Sequence, residues 1–161
     1  MKSIRIFQAI ALIALLSLTG RAHDKNAPLN DEQKAFLSQY ESVRAALTAD
    51  DLAATKKAAA GVVTESKAVP AEPLTLEQKE RQASFVATVR KIASADSLDS
   101  AREAFKQLSK RAVHYAQGKS GYYIAHCPMV PKDEGRWVQT TKIINNPYMG
   151  KFMPGCGSIE K

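Results

Sequence analysis

Apolar positions in residues 30–117 recur every three or four places, the period of helices that each bury one face. Phe36, Tyr40, Val43 and Leu47 step by four, three and four along a single stripe, and Asn30 is followed three residues on by Gln33, the spacing of a capping box. Together they predict a first helix over residues 30–48. A second, alanine-rich helix is predicted over 50–66. Asp50 and Asp51 fall in its first turn, where negative charge suits the helix dipole, and Leu52, Thr55, Ala59, Val62 and Val63 face inward. Pro70 and Pro73 cannot sit inside a helix. A third helix therefore starts afresh at Thr75, with Gln78 three residues on and a stripe of Phe85, Val89 and Ile92. Asp96 and Ser97 end it or cap a fourth over 98–117. That helix carries Ala101, Phe105, Leu108, Ala112 and Tyr115 on one face and is stopped by Gly118. Four such helices joined by short connections predict an antiparallel four-helix bundle.

Beyond Gly121 the helical period disappears and Gly, Pro, Asn and aromatic residues become frequent. Residues 122–126 and 137–139 read as strands, 145–150 and 154–157 as turns. The fold class is thus mainly α, a bundle with a small C-terminal β/loop lobe over residues 119–161. That lobe is too small to be held together by its own burial and must dock on the bundle, be stapled, or both.

The first 22 residues follow another pattern. A basic start, Met1-Lys2-Ser3-Ile4-Arg5, leads into an apolar run over 6–18 broken only by Gln8 and Ser17, and then into Gly20-Arg21-Ala22. The run is shorter than the roughly 20 apolar residues that span a bilayer core. It predicts a signal peptide cut after Ala22, with no membrane insertion afterwards. The mature chain would begin with a flexible lead-in, 23–29, ahead of the bundle over 30–118, and its compartment would be the oxidising periplasm. Loss of Lys2, Arg5 and Arg21 lowers the formal charge from +7 to +4, a mild excess that gives no reason to expect nucleic acid as a partner. The composition, 45% hydrophobic and 24% charged, excludes a disordered chain or a disulfide-dense miniprotein.

Sulfur is distributed unevenly. Apart from Met1, all of it lies in Cys127, Met129, Met149, Met153 and Cys156, and the predicted bundle has none. Methionine would be ordinary core filler in a bundle, so its concentration in the loop-rich lobe points to a soft-metal site. His126-Cys127-Pro128-Met129 offers imidazole, thiolate and thioether in four residues, and the glycines around Met153 and Cys156 permit tight turns that bring those two together. Thiolate and thioether ligands favour Cu(I); a thiolate–imidazole mixture also takes zinc, although the absence of a Cys-x-x-Cys pair disfavours a zinc ribbon.

These residues carry a resemblance. The pattern YYIAHCPM, then Trp137-Val138-Gln139, then Asn146-Pro147-Tyr148 through Met153 to Cys156-Gly157, preceded by ALTADDLAATKKAA and AREAFKQLS, resembles a bacterial family known as a domain of unknown function, number 3347, over roughly residues 31–157. Membership implies a small exported protein, or a C-terminal domain of a periplasmic adaptor in heavy-metal efflux, and hence copper or silver handling with an efflux component as partner. The tail is also similar to short heavy-metal-binding modules with a Cys-Pro-Met-His-Pro motif, but Val130 stands where those have the His. The resemblance carries over to Cys127, Met129, Met153 and Cys156; Met149 stands where the family often has an aromatic residue, and it and His126 are held more loosely.

Two cysteines in an exported protein also suit a disulfide. A Cys127–Cys156 bridge would close a loop of about 30 residues, worth about 3–4 kcal/mol in chain entropy, and would staple the lobe without any metal. An envelope interaction protein is then the alternative function. His114 reads as a solvated histidine, His23 as a remote candidate for Cu(II) at a new N-terminus, and Asp50-Asp51 as capping charges. Hydrolase and phosphate-binding motifs are missing, and the expected function is not enzymatic.

Overall fold

The computed structural model describes residues 27–65, 75–131 and 134–160. The leader assigned to residues 1–22, most of the lead-in with His23, and Pro70 and Pro73 lie outside the described residues. Those described form four helices and a small antiparallel sheet of three strands.

Helix α1 (Asp31–Thr48) begins on the expected capping box: Asn30 Oδ1 accepts from Gln33 N at 2.8 Å and Gln33 Oε1 from Asn30 N at 3.0 Å. Helix α2 (Leu52–Glu65) starts later than its sequence suggested, because Asp51 is its cap rather than part of its first turn. Asp51 Oδ1 accepts from Ala54 N at 2.8 Å. Helix α3 (Leu76–Ala93) is capped by Thr75 with Gln78, and α4 (Leu98–Ala116) by Ser97 with Ser100. Along the predicted stripes Tyr40, Val43, Leu47, Thr55, Ala59, Val62, Val89, Ile92, Ala101, Phe105, Leu108 and Ala112 are buried. Phe36, Leu52, Phe85 and Tyr115 pack partly buried against them. Each helix touches the next, and α1 also touches α4.

The link between α1 and α2 is compressed into a Schellman turn. Asp51 N donates to Ala46 O at 3.0 Å and Asp50 N to Leu47 O at 3.2 Å, with Asp50 in the left-handed region at φ 53°. Glycine is the usual residue there, and a non-glycine costs about 1 kcal/mol. Aspartate occupies the position because its carboxylate has work elsewhere in the fold. One oxygen pairs with Arg102 Nη2, and the other accepts from Lys151 N at 2.9 Å. The Lys151 amide and, next to it, the Arg102 guanidinium hold the Asp50 carboxyl below its ordinary range.

Strands β1 (Tyr123–His126), β2 (Arg136–Gln139) and β3 (Ser158–Ile159) form the sheet in the order β2-β1-β3. Tyr123 pairs with Gln139 and His126 with Arg136 on one side of β1; His126 pairs with Ser158 on the other. The first two strands lie where alternation placed them. The third has two residues and no periodicity from which to read it.

The lobe has no separate core. Both β1 and β2 contact α4, and a run of rings crosses the boundary. Phe105 stacks on Tyr40 at 5.1 Å and meets Tyr148 at 5.9 Å, and Tyr148 meets Trp137 edge-on at 6.2 Å. Inside this layer the Tyr40 hydroxyl accepts from Val138 N at 3.1 Å and bonds Ser109 Oγ at 2.9 Å, which satisfies the outer edge of β2. Lys106 and Lys110 reach Glu134 at 3.3 Å and tie the β1–β2 loop to α4.

Replacing Asp50 by glycine separates the two roles of that residue. Relief of the left-handed strain alone would stabilise the protein. Loss of the charge-assisted bonds to Arg102 and Lys151 N outweighs it, and the variant should unfold with a net loss of about 1–2 kcal/mol, read from a lowered urea midpoint at unchanged slope.

Candidate functional site

The site is built by two turns at the end of the sheet. Cys127 leaves β1 with its N–H donating to Gly135 O at 3.0 Å, and Val130 N returns to Cys127 O at 3.3 Å. A Cβ on Gly135 would overlap the Cys127 carbonyl oxygen, so this hairpin closes only around glycine. On the other side, the pairing of His126 with Ser158 carries Gly157 alongside Cys127. Gly157 has φ 127°, and a Cβ there would lie 2.7 Å from His126 O and 2.9 Å from the Trp137 ring. The chain preceding β3 can approach β1 this closely only without a side chain at that position.

Asn146 aims the second turn. It is fully buried. Its Oδ1 accepts from Tyr148 N at 2.8 Å and Met149 N at 3.1 Å, its Nδ2 donates to Cys156 O at 2.7 Å, and its own N–H donates to Pro154 O at 2.8 Å. One amide therefore fixes both ends of the segment from 146 to 156. The segment is in turn anchored to the helices. Arg44 Nη1 donates to Asn145 O at 2.9 Å while its other nitrogens grip Glu41, and Arg102 Nε donates to Pro147 O at 2.9 Å. Gly150 sits against the Asp50–Arg102 pair, where any Cβ would collide with both groups.

The result is that Cys127 Sγ and Cys156 Sγ lie 3.2 Å apart, with no bond joining them. Cys127 is 0% exposed; Cys156 is partly buried. The two sulfurs share a hydrogen bond. That bond, with some loss of solvent and the repulsion of a second negative charge beside Cys127, raises the Cys156 thiol above its ordinary value.

The remaining sequence candidates are placed differently. Met129 follows Cys127 by two residues and is 57% exposed. Met153 is half-buried in the turn whose carbonyl accepts from Cys156 N at 3.1 Å. Met149 packs against the common core. His126 is half-buried, and among the described residues no three His, Cys, Asp or Glu side chains gather as a metal group, so His126 does not join the two cysteines in one. His114 is exposed, with its ring 5.8 Å from that of Tyr115. Sequence reasoning missed Asn146, Gln139 and Asp50. Gln139 is buried and accepts from Trp137 Nε1 at 2.9 Å while donating to Thr141 O and Ile143 O. The signal for Asn146 was its place before Pro147 in a glycine-bearing turn, where an Asx turn is common.

The family model described as "Protein of unknown function (DUF3347)" matches residues 36–121, more than half of the chain, and the chain belongs to that family. The match covers all of α2 to α4 and most of α1, and stops before β1, so the sulfur pair lies beyond it. That is a shorter span than the sequence motifs indicated. No curated protein and no solved structure matches the chain.

The raised Cys156 thiol sets a direction for stability against pH. The folded state holds its proton longer than the unfolded chain does, so its contribution is complete below the unfolded value, about 8.5, and is lost as pH rises through the folded one. Reduced protein should show a falling urea midpoint above about pH 8.5, and a Cys156→Ser variant should show a flatter profile over the same window. Equal slopes for the two would mean that the thiol contributes nothing.

Proposed function

We propose that this protein is an exported soft-metal-binding protein that holds Cu(I) between Cys127 and Cys156 and serves copper homeostasis or efflux in the periplasm. The observation that carries the reading is the convergence of the two cysteine sulfurs at 3.2 Å on turns that glycine and Asn146 hold in place. Two thiolates suit a soft monovalent ion of low coordination number. Structural zinc takes four N or S ligands, and among the described residues two strong ones are gathered, so that donor set fits Cu(I) or Ag(I) better than zinc. Met153, in the turn that ends at Cys156, is the favoured thioether; Met129, near Cys127, is the second. His126 and Met149 are weaker candidates. When bound, the monovalent ion would offset one of the two negative charges of the paired thiolates. In this reading the four helices pack as an antiparallel bundle, a support for the sulfur-bearing lobe, and the lobe hands its ion to a heavy-metal efflux component.

A second reading has its own observation. Cys127 is wholly buried beside Cys156, which suits a permanent disulfide staple in an envelope interaction protein without metal.

Thiol counting and metal analysis on protein taken from the periplasm separate the two. Free thiols with one copper per chain support the first; blocked thiols without metal support the second. In competition with a Cu(I) chelator the reduced protein should bind one ion. Cys127→Ser or Cys156→Ser should weaken binding by more than the 10–100-fold typical of losing an outer-shell partner, and Met153→Leu by about tenfold. Parent-like binding by both cysteine variants would place the ion elsewhere or nowhere.

A further inference from the structure

The two sulfurs touch but are not equivalent, and their difference in access assigns them different chemistry. Cys127 Sγ belongs to a residue with no exposed surface. Cys156 is partly exposed, and the turn before it is open. Pro154 and Gly155 are exposed, and a Cβ built on Gly155 meets nothing within 4 Å. The solvent-facing side of the pair is therefore the Cys156 side, with Cys127 Sγ 3.2 Å from Cys156 Sγ.

We infer that Cys156 is a thiol-exchange site for small disulfides, and that Cys127 is its resolving partner. In the first step the Cys156 thiolate, which its raised thiol keeps scarce until alkaline pH so that exchange quickens as pH rises, attacks one sulfur of a disulfide RSSR. A Cys156–S–S–R bond forms, the donor's S–S bond breaks, and RS⁻ leaves to solvent. In the second, the Cys127 thiolate attacks Cys156 Sγ from the protein side, the Cys127–Cys156 bond forms, and a second RS⁻ leaves on the solvent side. Summed, two protein thiols are oxidised, one RSSR is reduced to two RSH, and the two thiol protons pass to the departing thiolates. Closure from 3.2 Å to a bonded pair needs the two sulfurs to move about 1 Å closer.

The exchange itself stands on the sulfur geometry alone. Its consequence rests on the Cu(I) reading above: oxidation removes both thiolates, so a disulfide donor would discharge the bound ion and a reductant would restore the site.

The test uses reduced full-length mature protein without metal, mixed with oxidised glutathione and followed by mass spectrometry. Parent protein should lose two hydrogens and release two glutathione thiols per chain, with only a transient adduct. Cys127→Ala should stop at a stable glutathione adduct on Cys156. Cys156→Ala should react more than about tenfold slower, because attack then waits for local opening. A check free of substitutions is alkylation of native reduced parent, in which Cys156 should be labelled well before Cys127, and both alike in denaturant. A lasting adduct on the parent, primary labelling of Cys127, or equal rates for the two single variants would overturn the assignment. Cu(I) is added only afterwards. Oxidised protein should not retain it and re-reduced protein should. If exchange runs as described but reduced protein never binds Cu(I), the copper reading fails and the exchange site stands.

Discussion

Arg102 binds three separate parts of the chain. It pairs with the Asp50 carboxylate, donates to Leu47 O at 3.2 Å and donates to Pro147 O at 2.9 Å. In this way the end of α1, the start of the α1–α2 turn and the first residues of the sulfur-bearing segment are held by one guanidinium carried on α4. Guanidinium suits the position because it offers five donors in a fixed plane, whereas an ammonium would satisfy one or two of these acceptors without fixing their angles. The left-handed backbone of Asp50 and the bare Cα of Gly150 are both consequences of how closely the tail comes to this side chain.

With that contact in place, the lobe can do without a core of its own. Its large side chains enter the helical core, Trp137 and Tyr148 through Phe105, and its unpaired polar groups are met from inside. Tyr40 meets Val138 N, Arg44 meets Asn145 O, and the Tyr148 hydroxyl donates to Arg136 O at 2.9 Å. Burial keeps the Tyr40 and Tyr148 phenols protonated well past the ordinary tyrosine range, so these bonds persist at any pH at which the fold survives. Burying backbone groups without such partners would cost about 1–3 kcal/mol each, which is why the loops of this lobe carry so many fixed side chains.

The helices were legible because each signal was local. Asn30 with Gln33, and Thr75 with Gln78, act within one turn, and the buried stripes repeat at the helical period. Cys127 and Cys156 were legible as candidates because sulfur had collected in one segment, in motifs with Pro128 and the glycines beside them and in a pattern that resembles the family's. Their approach was not readable from spacing, because it depends on Asn146 reaching Cys156 O across ten residues and on β3, which is only two residues long. Asp50 was read as a dipole charge for the same reason. Its real partners, Arg102 and Lys151, lie 52 and 101 positions away, and no local pattern encodes them. His126 shared a motif with Cys127, yet a strand turns neighbouring side chains to opposite faces, so adjacency in sequence did not become adjacency in space.

These anchors bear on what the sulfur pair is for. A disulfide across residues 127 and 156 would contribute about 3–4 kcal/mol by constraining the unfolded chain. The lobe is already tied to the helices by Arg44, Arg102 and Asp50, by the Lys106–Glu134 and Lys110–Glu134 pairs, and by the shared ring layer. All of these lie outside the two sulfurs, and none requires the bond between them. A staple would then add to a lobe that is positioned without it, whereas a lobe held only by its disulfide could not open the pair and remain folded. Because the anchors and the sulfurs are different residues, a change of bonding at Cys127 and Cys156 would leave the contacts of Arg44, Arg102, Asp50 and Glu134 in place.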